Sequence, residues 1–360
     1  MQKLLRYPFA MECGVYITTY EQDHALHQTP LAVARGWILV ALLYVVPLFL
    51  SNYHLSILNM VAIYTIAALG LNLLTGVTGQ ISVGHGAFTG MGAFTVGYLM
   101  KQGLSFWIAM PLAGLTAAAV GAFFGLPSAR LKGLYLAIAS LAAQVILSFF
   151  FTRADWFTGG IHSMSVKRPS LFGYTLSSEL SYLYLGLTVA LVLAIFAQNL
   201  LRTRWGRAFM AVRDRDLAAE VMGVDLFRTK VTAFALSAFY AGIAGAIWAP
   251  YVMIISPEQF EIHLSIELLA MIIIGGMGSV MGSLYGAAFM TVLPIVVREL
   301  SMALVPIFPS IGTKVLLFRD AAFGAAIVLF LVFEPEGLAK LWRNVKDYFR
   351  LWPFGYSSGR

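Results

Sequence analysis

The chain has 360 residues, of which 59% are apolar and 11% charged, and its mean hydropathy is +0.80. A soluble domain averages about 25% charged residues, so this composition excludes a soluble globular protein and predicts an all-α polytopic membrane protein. The net charge of +7 needs no nucleic acid partner because the basic residues cluster in a few loops, and the single cysteine, Cys13, excludes an intrachain disulfide and a cysteine metal cluster.

Ten apolar segments follow one another along the chain, and each is predicted to span the membrane. They lie at about 37–51, 55–76, 83–100, 104–127, 133–151, 181–201, 230–252, 264–280, 282–297 and 314–333. Glycine interrupts the segments at 83–100 and 264–297. The predicted organisation is a cytoplasmic N-terminal lead over 1–35, a transmembrane domain over 36–335 and a cytoplasmic basic C-terminal tail over 336–360.

Lysine and arginine predict the orientation, because cytoplasmic loops carry an excess of both. They concentrate in the loop at 130–132, the loop at 202–230 and the C-terminal tail. With ten spans all three regions fall on one side, which we read as the cytoplasm, together with both termini. The opposite side then holds residues 152–180, 253–263 and 298–313.

The basic loop at 202–230 contains a predicted helix. Residues 217–222 are helix formers, Asp216 near the start complements the helix dipole, and Gly223 is a natural stop. Leu217, Val221 and Met222 would form an apolar face, which a plain solvated loop does not need. We therefore predict that this loop docks on a partner, with a solvated basic loop as the alternative.

Two glycine-broken stretches, 76–88 and 275–289, resemble each other weakly, one in each half of the chain. Paired broken segments are typical of a transporter's central pathway. Polar residues within apolar spans are functional candidates by default. The candidates for a substrate path are Asn72, Gln80, Ser82, His85, Glu267 and Gly278. The alternatives are a structural hydrogen bond at His85, interhelical bonding at Asn72 and a structural ion pair at Glu267.

A series of motifs runs in order from about residue 55 to 340. They are Ala68-Leu-Gly-Leu-Asn72-Leu-Leu-Thr-Gly76, Gly79-Gln-Ile-Ser-Val-Gly84-His85-Gly-Ala-Phe88, Leu131-Lys-Gly133-Leu-Tyr135, Thr158-Gly-Gly160, Trp205-Gly206-Arg207 to Gly223, Gly275-Gly-Met-Gly278-Ser and Pro335-Glu-Gly337-Leu. In this order they resemble the permease subunit of branched-chain amino acid ABC importers, of the LivM-like type. Met164 departs from the pattern, since this family often has glycine there.

The resemblance implies a permease of the ABC importer type that forms the translocation path for branched-chain or related small amino acids. Its implied partners are ABC ATPase subunits, a second related permease subunit, a periplasmic substrate-binding protein and membrane lipid, in the bacterial inner membrane. It implies no cofactor in this chain, since the ATPase uses the ATP. The residues expected to couple to the ATPase are Arg207, Asp216, Ala218, Ala219, Glu220 and Gly223.

The longest outward loop is a candidate docking surface for the binding protein, and a plain connector is the alternative. Its candidate residues are Trp156, Thr158, Gly159 and Gly160. The sequence contains no GxxxxGK[ST] phosphate loop and no HExxH motif, so we predict a transport subunit without catalytic or metal-binding residues.

Other functions stay open at this point. ABC permeases of the same kind carry urea, short amides or aromatic acids. An ion-coupled secondary transporter would explain Glu267 and the broken helices but not the basic loop at 202–230. An intramembrane enzyme acting on lipid would need convergent polar groups, of which the spans hold too few.

Overall fold

The computed structural model describes residues 30–131, 133–160, 163–171, 174–304, 315–334 and 336–351. Over these ranges the chain is mainly helical. The α-helices are α1 Pro30–Val45, α2 Asn52–Leu71, α3 His85–Lys101, α4 Phe106–Ser128, α5 Leu134–Arg153, α6 Asp155–Thr158, α7 Glu179–Arg202, α8 Arg204–Val221, α9 Leu226–Val252, α10 Ile262–Gly275, α11 Val280–Leu304, α12 Val315–Phe333 and α13 Leu338–Leu351. A π-helix, Asn72–Val77, continues α2, and 3-10 turns cover Val46–Phe49 and Pro257–Phe260.

Short strands lie in the connections. They are β1 Met164–Ser165, β2 Ser170–Leu171, β3 Tyr174–Thr175 and β4 Ile254–Ile255. β1 pairs with β4 in the antiparallel sense, with Met164 opposite Ile255. β2 pairs with β3. The β1–β4 pair ties the loop that follows α6 to the end of α9.

All ten predicted apolar segments contain helix, and the protein is an all-α polytopic membrane protein. Among the residues that the structure describes, six helical stretches are long and apolar enough to cross a membrane: Asn52–Val77, Phe106–Pro127, Leu134–Arg153, Glu179–Arg202, Leu226–Val252 and Val280–Ala303. The predicted count of ten spans is therefore not confirmed. One reason is length, since the 14 residues of α10 rise only about 21 Å at 1.5 Å each, short of the roughly 30 Å hydrocarbon core.

Internal contacts divide the chain into two compact units, one of residues 56–340 and one of residues 1–55 with 341–360. The larger unit extends from the first turn of α2 to the first turn of α13. It begins later than the predicted transmembrane domain of 36–335. The predicted lead over 1–35 lies outside the described residues up to position 29, and α1 begins at Pro30.

α9 is the central helix of the larger unit because its small residues allow α3 and α4 to approach its backbone. A Cβ added at Gly245 would overlap the Thr89 carbonyl oxygen of α3, and one added at Gly242 would meet Ala117 of α4. Gly92 of α3 in turn lies against the Gly242 backbone. Small residues at such spacing are how membrane helices pack closely. Ala238, Gly242 and Ala246 of α9 recur at every fourth residue and therefore lie on one face of this helix. This face is a packing surface.

The connections separate into two ends of the bundle. The cavity at one end is lined by residues 78–80 and 212–218 together with Leu131, Gly133, Leu136 and Lys230. The loop that contains Leu131 and Gly133 and the basic loop at 202–230 therefore lie together. We call this the basic end. The opposite end holds the β1–β4 pair and the bond from the Trp107 indole nitrogen to the Ser170 carbonyl. This grouping agrees with the predicted sidedness of the loops at 130–132 and 202–230.

We predict that Gly245→Ala destabilises the bundle, because the added methyl group overlaps the Thr89 carbonyl. Overpacking of this kind costs about 1–3 kcal/mol, and the thermal melting of the purified protein in detergent measures it. Gly324→Ala in α12 is the matched control, since no atom lies within 4 Å of its added Cβ. A melting temperature for Gly245→Ala equal to that of the control would contradict this account of the α3–α9 contact.

Candidate functional site

At the basic end the two glycine-broken stretches meet through one buried amide. The Asn72 Nδ2 donates to the Ser279 carbonyl at 2.8 Å and to the Ser283 Oγ at 2.9 Å. Its Oδ1 accepts from the Gly278 amide at 2.7 Å. We call these residues, together with Gly76, the glycine joint. Asn72 thus uses both ends of its side chain to hold the end of α2 against the α10–α11 connection.

Close approach of two backbones is what requires glycine in this joint. A Cβ at Gly76 would overlap the Gly278 amide and the Asn72 side chain. Gly278 has φ of +83°, a conformation that side chains rarely adopt. The weak sequence likeness between 76–88 and 275–289 therefore corresponds to a physical contact between the two stretches.

Arg213 of α8 bonds directly to the joint. Its Nη1 donates to the Gly76 carbonyl at 2.7 Å, and the same atom lies 3.0 Å from where a Gly278 Cβ would stand. Gly79, one turn further on, packs against the Arg213 backbone and the base of its side chain. Since charged donors make the stronger hydrogen bonds, Arg213 is a firm connection between the basic loop and the transmembrane helices.

α8 consists of two helical arms, because Arg215 has φ of −156° and ψ of 104° and interrupts the helix. The first arm is seated on the bundle through the buried Phe209 and Val212. The second arm ends in a Schellman arrangement, in which the amides of Gly223 and Val224 bond to the carbonyls of Glu220 and Ala219. Gly223 has φ of +87°, and the helix stop agrees with the prediction from sequence.

The tip of α8 is apolar and exposed. Leu217 is 66% exposed, Val221 88% and Met222 84%. These three side chains form the apolar face predicted from sequence, and we call them the α8 tip. Side chains of this size are usually covered in a finished assembly, because each buried one contributes about 1.5–3 kcal/mol.

The predicted coupling residues divide by exposure. Arg207, Ala218, Glu220 and Gly223 are exposed, and Asp216 is half-buried. Ala219 is only 4% exposed. The expectation that Ala219 leaves room for a docking partner is therefore corrected, since its side chain is buried in the helical bundle and the adjacent Ala218 is exposed.

A cavity of about 590 Å³ lies beside the α8 kink. Charged residues of both signs line it, among them Arg213, Asp214 and Lys230, and Gln80 lines it from the loop after the π-helix. Gln80 is 3% exposed, and neither of its side-chain polar atoms has a hydrogen-bond partner within the described residues. Gln80 is thus a path candidate that lines the cavity while its amide group is buried.

Two other path candidates, His85 and Ser82, are buried inside the protein. The His85 Nε2 lies 3.2 Å from the Ala67 carbonyl, and the Nδ1 lies 3.5 Å from the Ser237 Oγ. His85 is fully buried, so the structural alternative describes its surroundings best. The Ser82 hydroxyl is also fully buried and has no hydrogen-bond partner among the described atoms.

Comparison with known proteins identifies the family. Residues 53–331 match the family model of the branched-chain amino acid transport system permease component. The chain belongs to this family. It is 34% identical to the high-affinity branched-chain amino acid transport system permease protein LivM of Salmonella typhimurium, over 82% of this chain and 72% of the relative. It is 33% identical to LivM of Escherichia coli, over 86% and 76%.

A more distant relative is the autoinducer 2 import system permease protein LsrC of Escherichia coli, 26% identical over 85% of this chain and 88% of the relative. No solved structure matches the chain. The permease is therefore a multi-pass membrane transport subunit, in a family whose members serve different import systems.

Two polar side chains that the sequence analysis missed hold the start of α3 in the permease. Gln144 of α5 accepts from the Ala87 amide at 2.9 Å and donates to the Phe260 carbonyl at 2.7 Å. The Ser265 hydroxyl of α10 accepts from the Gly86 amide and donates to Gln144. Gln144 is a polar residue within the apolar segment at 133–151, and this pattern could have identified it from the sequence. Together they bond amides that the first turn of α3 leaves without an intrahelical partner.

Glu267 lies in the second turn of α10, and its carboxylate is 4.0 Å from the His263 Nε2. The side chain is 27% exposed. Glu267 thus lies near the start of α10, one turn after His263. This arrangement fits the structural alternative, a pair between the two side chains.

A second polar network, also missed, connects three elements at the opposite end. The Glu179 carboxylate accepts from the Tyr251 hydroxyl at 3.0 Å and from the Asn59 Nδ2 at 3.1 Å. Arg168 of the long loop lies 3.7 Å from the same carboxylate. This network joins α2, α7 and α9 to the loop, and its members are too far apart in sequence to be recognised as a group.

The long outward loop presents fewer docking groups than predicted. Thr158 is fully buried, and its hydroxyl donates to the Phe151 carbonyl at 2.6 Å and accepts from the Gly160 amide at 3.0 Å. Gly160 is buried and Gly159 half-buried, whereas Trp156 is 71% exposed. The Thr158 side chain is thus removed from any docking surface. Met164 is buried and belongs to β1.

We predict that Asn72→Ala weakens the glycine joint, because it removes three hydrogen bonds between α2 and the α10–α11 connection. Leaving buried partners unsatisfied costs about 1–3 kcal/mol. Thermal melting of the purified permease measures the loss. Thr65→Val is the control on the same helix, since the Thr65 hydroxyl bonds only to the Val61 carbonyl within α2. Equal melting temperatures for the two variants would count against the joint.

Proposed function

We propose that this permease is the membrane subunit of an ATP-driven importer and that the α8 tip is the surface on which an ATPase subunit docks. The supporting observation is the construction of α8, which is fixed to the bundle through Phe209 and Val212 and presents large apolar side chains outward. The sequence contains no phosphate-binding loop of the GxxxxGK[ST] form, so ATP is hydrolysed on another chain.

Arg213 supplies the route by which movement of the ATPase reaches the membrane. Displacement of the α8 tip pulls on the Gly76 carbonyl through a 2.7 Å hydrogen bond. Gly76 contacts Gly278 directly, so both glycine-broken stretches move with α8. Packed helices transmit force because their interiors are dense and resist compression. In this proposal the glycine joint is the hinge of alternating access.

The translocation path lies between this permease and a second, related permease subunit. A cavity bounded by residues of α2, α3, α9 and α10, including Tyr64 and Trp248, has a volume of about 30 Å³. One water molecule needs roughly 10–15 Å³ of such space, so this cavity holds only a few waters and is too small for an amino acid. A path at the interface between two chains does not require a cavity of that size inside either chain.

Branched-chain amino acids, or closely related small amino acids, are the proposed cargo. The support is the higher identity to the two LivM proteins, 34% and 33%, than to LsrC at 26%. Urea, amides and aromatic acids remain the alternative cargoes. An ion-coupled mechanism is less well supported, because it has no use for an exposed apolar α8 tip.

The proposed orientation has the basic end in the cytoplasm of a bacterial inner membrane, with both termini on that side. The support is the positive-inside rule and the grouping of the arginine-bearing loops around one cavity. A periplasmic binding protein then delivers cargo to the opposite end, where Trp156 is the exposed aromatic anchor.

We predict that Met222→Glu abolishes ATP-driven uptake and co-purification of the ATPase, while membrane insertion persists, because a carboxylate is placed in the centre of an apolar contact. Val221→Glu has the same effect, since Val221 is the most exposed residue of the α8 tip. Burying an unpaired charge costs several kcal/mol. Uptake by proteoliposomes and pull-down from detergent extracts are the measurements.

Met222→Leu and Val221→Ile are the controls for these variants, because both keep the surface apolar and should retain uptake. Unimpaired uptake and ATPase association in the glutamate variants would contradict docking at the α8 tip.

The cargo is tested by purifying the permease from its native membrane in mild detergent and identifying the proteins that co-purify with it by mass spectrometry. We expect an ATPase and a second permease, and a binding protein from the same system whose melting temperature rises with leucine, isoleucine or valine. A shift with urea, amides or aromatic acids instead would overturn the assignment of cargo but not of mechanism. A permease that purifies without an ATPase, under conditions that preserve other importers, would overturn the mechanism.

A further inference from the structure

The C-terminal helix α13 differs in composition from every span. Its sequence, LAKLWRNVKDYFRL, places apolar residues at three- and four-residue intervals. At 100° per residue, Trp342 and Tyr348 lie about 120° apart on the helix surface, with Leu341 and Val345 between them. The helix is thus amphipathic, with one apolar face that carries an aromatic residue at each edge.

The apolar face of α13 is open to its surroundings. Trp342 is 61% exposed, Val345 47% and Tyr348 64%. A water-filled environment makes this arrangement unfavourable, since each large apolar side chain contributes about 1.5–3 kcal/mol when it is covered. Something outside the described chain therefore covers this face.

The polar side of α13 is basic. Arg343, Lys346 and Lys340 lie outside the apolar arc, against a single acidic residue, Asp347. Lys340 also pairs with Glu336 at 2.6 Å. Arg343 and Lys346 flank the Trp342 edge of the apolar arc, so a covering surface would meet apolar and positive groups together.

We propose that α13 lies in the membrane–water interface and binds anionic phospholipid, with its apolar face among the upper acyl chains and its basic side chains on the headgroups. Tryptophan and tyrosine at the edges of an apolar arc are at the depth where membrane proteins concentrate these residues. Lysine and arginine on the polar face are typical of interfacial helices. Only four residues separate α13 from the end of α12, so α13 begins close to the end of a membrane helix.

The start of α13 connects this surface to the site. A Cβ added at Gly337 would overlap the Gly276 backbone, and one added at Gly276 would lie 3.2 Å from the Ala339 side chain. Gly276 is in the α10–α11 connection, two residues before Gly278 of the glycine joint. The first turn of α13 thus contacts the α10–α11 connection directly. The inference requires only that the chain spans a membrane, and it does not depend on ATP or on the cargo.

Spin labels on the full-length permease test the proposal. Cys13 is the only cysteine, so Cys13→Ser gives a cysteine-free background. Single cysteines are then introduced as Val345→Cys on the apolar face and Asn344→Cys on the polar face. The protein is placed in nanodiscs of phosphatidylglycerol or of phosphatidylcholine, and collisions of each label with oxygen and with a water-soluble nickel complex are measured.

We expect the label at 345 to collide mainly with oxygen in phosphatidylglycerol and the label at 344 mainly with nickel. Both labels colliding mainly with nickel would overturn the proposal, since α13 would then be in water. Shielding of the label at 345 from both reagents would also overturn it, because the helix would then be docked on protein.

The charge requirement is tested separately. Arg343→Gln with Lys346→Gln should reduce the equilibrium constant for the membrane-bound position of the 345 label by about 5-fold per charge removed, in phosphatidylglycerol but not in phosphatidylcholine. Arg228→Gln is the control, since Arg228 is an 81% exposed arginine of the basic end outside α13. Equal depth of the label in both lipids, in the parent and in the double variant, would refute recognition of anionic headgroups.

Discussion

The contact between Asn72 and the Gly278 region is the interaction on which the site depends. It holds the end of α2 against the α10–α11 connection through three hydrogen bonds from one buried side chain. Glycine at 76 and 278 permits the backbones to come within bonding distance. Because an unsatisfied amide in a membrane interior is costly, this arrangement fixes one geometry where a glycine-rich connection alone would permit many.

The helices attached to this joint carry out different tasks. α8 extends from it to an apolar tip and is bonded to it by Arg213. α13 begins one residue after Gly337, which lies against Gly276, and offers a basic amphipathic surface. The same small region of backbone thus contacts the element proposed to bind the ATPase and the element proposed to bind lipid.

The opposite end of the permease is held by different means. The Glu179 carboxylate gathers Asn59, Tyr251 and Arg168, and the β1–β4 pair fixes the long loop to α9. These contacts connect the loop to the central helix, which packs through Gly242 and Gly245 on its neighbours. The family includes relatives named for different import systems.

The sequence by itself determined the class of protein, the positions of apolar helices, the helical and apolar character of the 202–230 loop and its stop at Gly223, because hydropathy and local propensity depend on neighbouring residues. It also identified Asn72 and Gly278 as candidates. It did not determine the number of spans, since six helices among the described residues are long and apolar enough to cross a membrane. It missed Gln144, Ser265 and the Glu179 network, and it assigned Ala219 and Thr158 to outward surfaces although both are buried. Those features depend on which helix faces approach each other, and residues up to 211 positions apart, such as Asn72 and Ser283, are brought together only by tertiary packing.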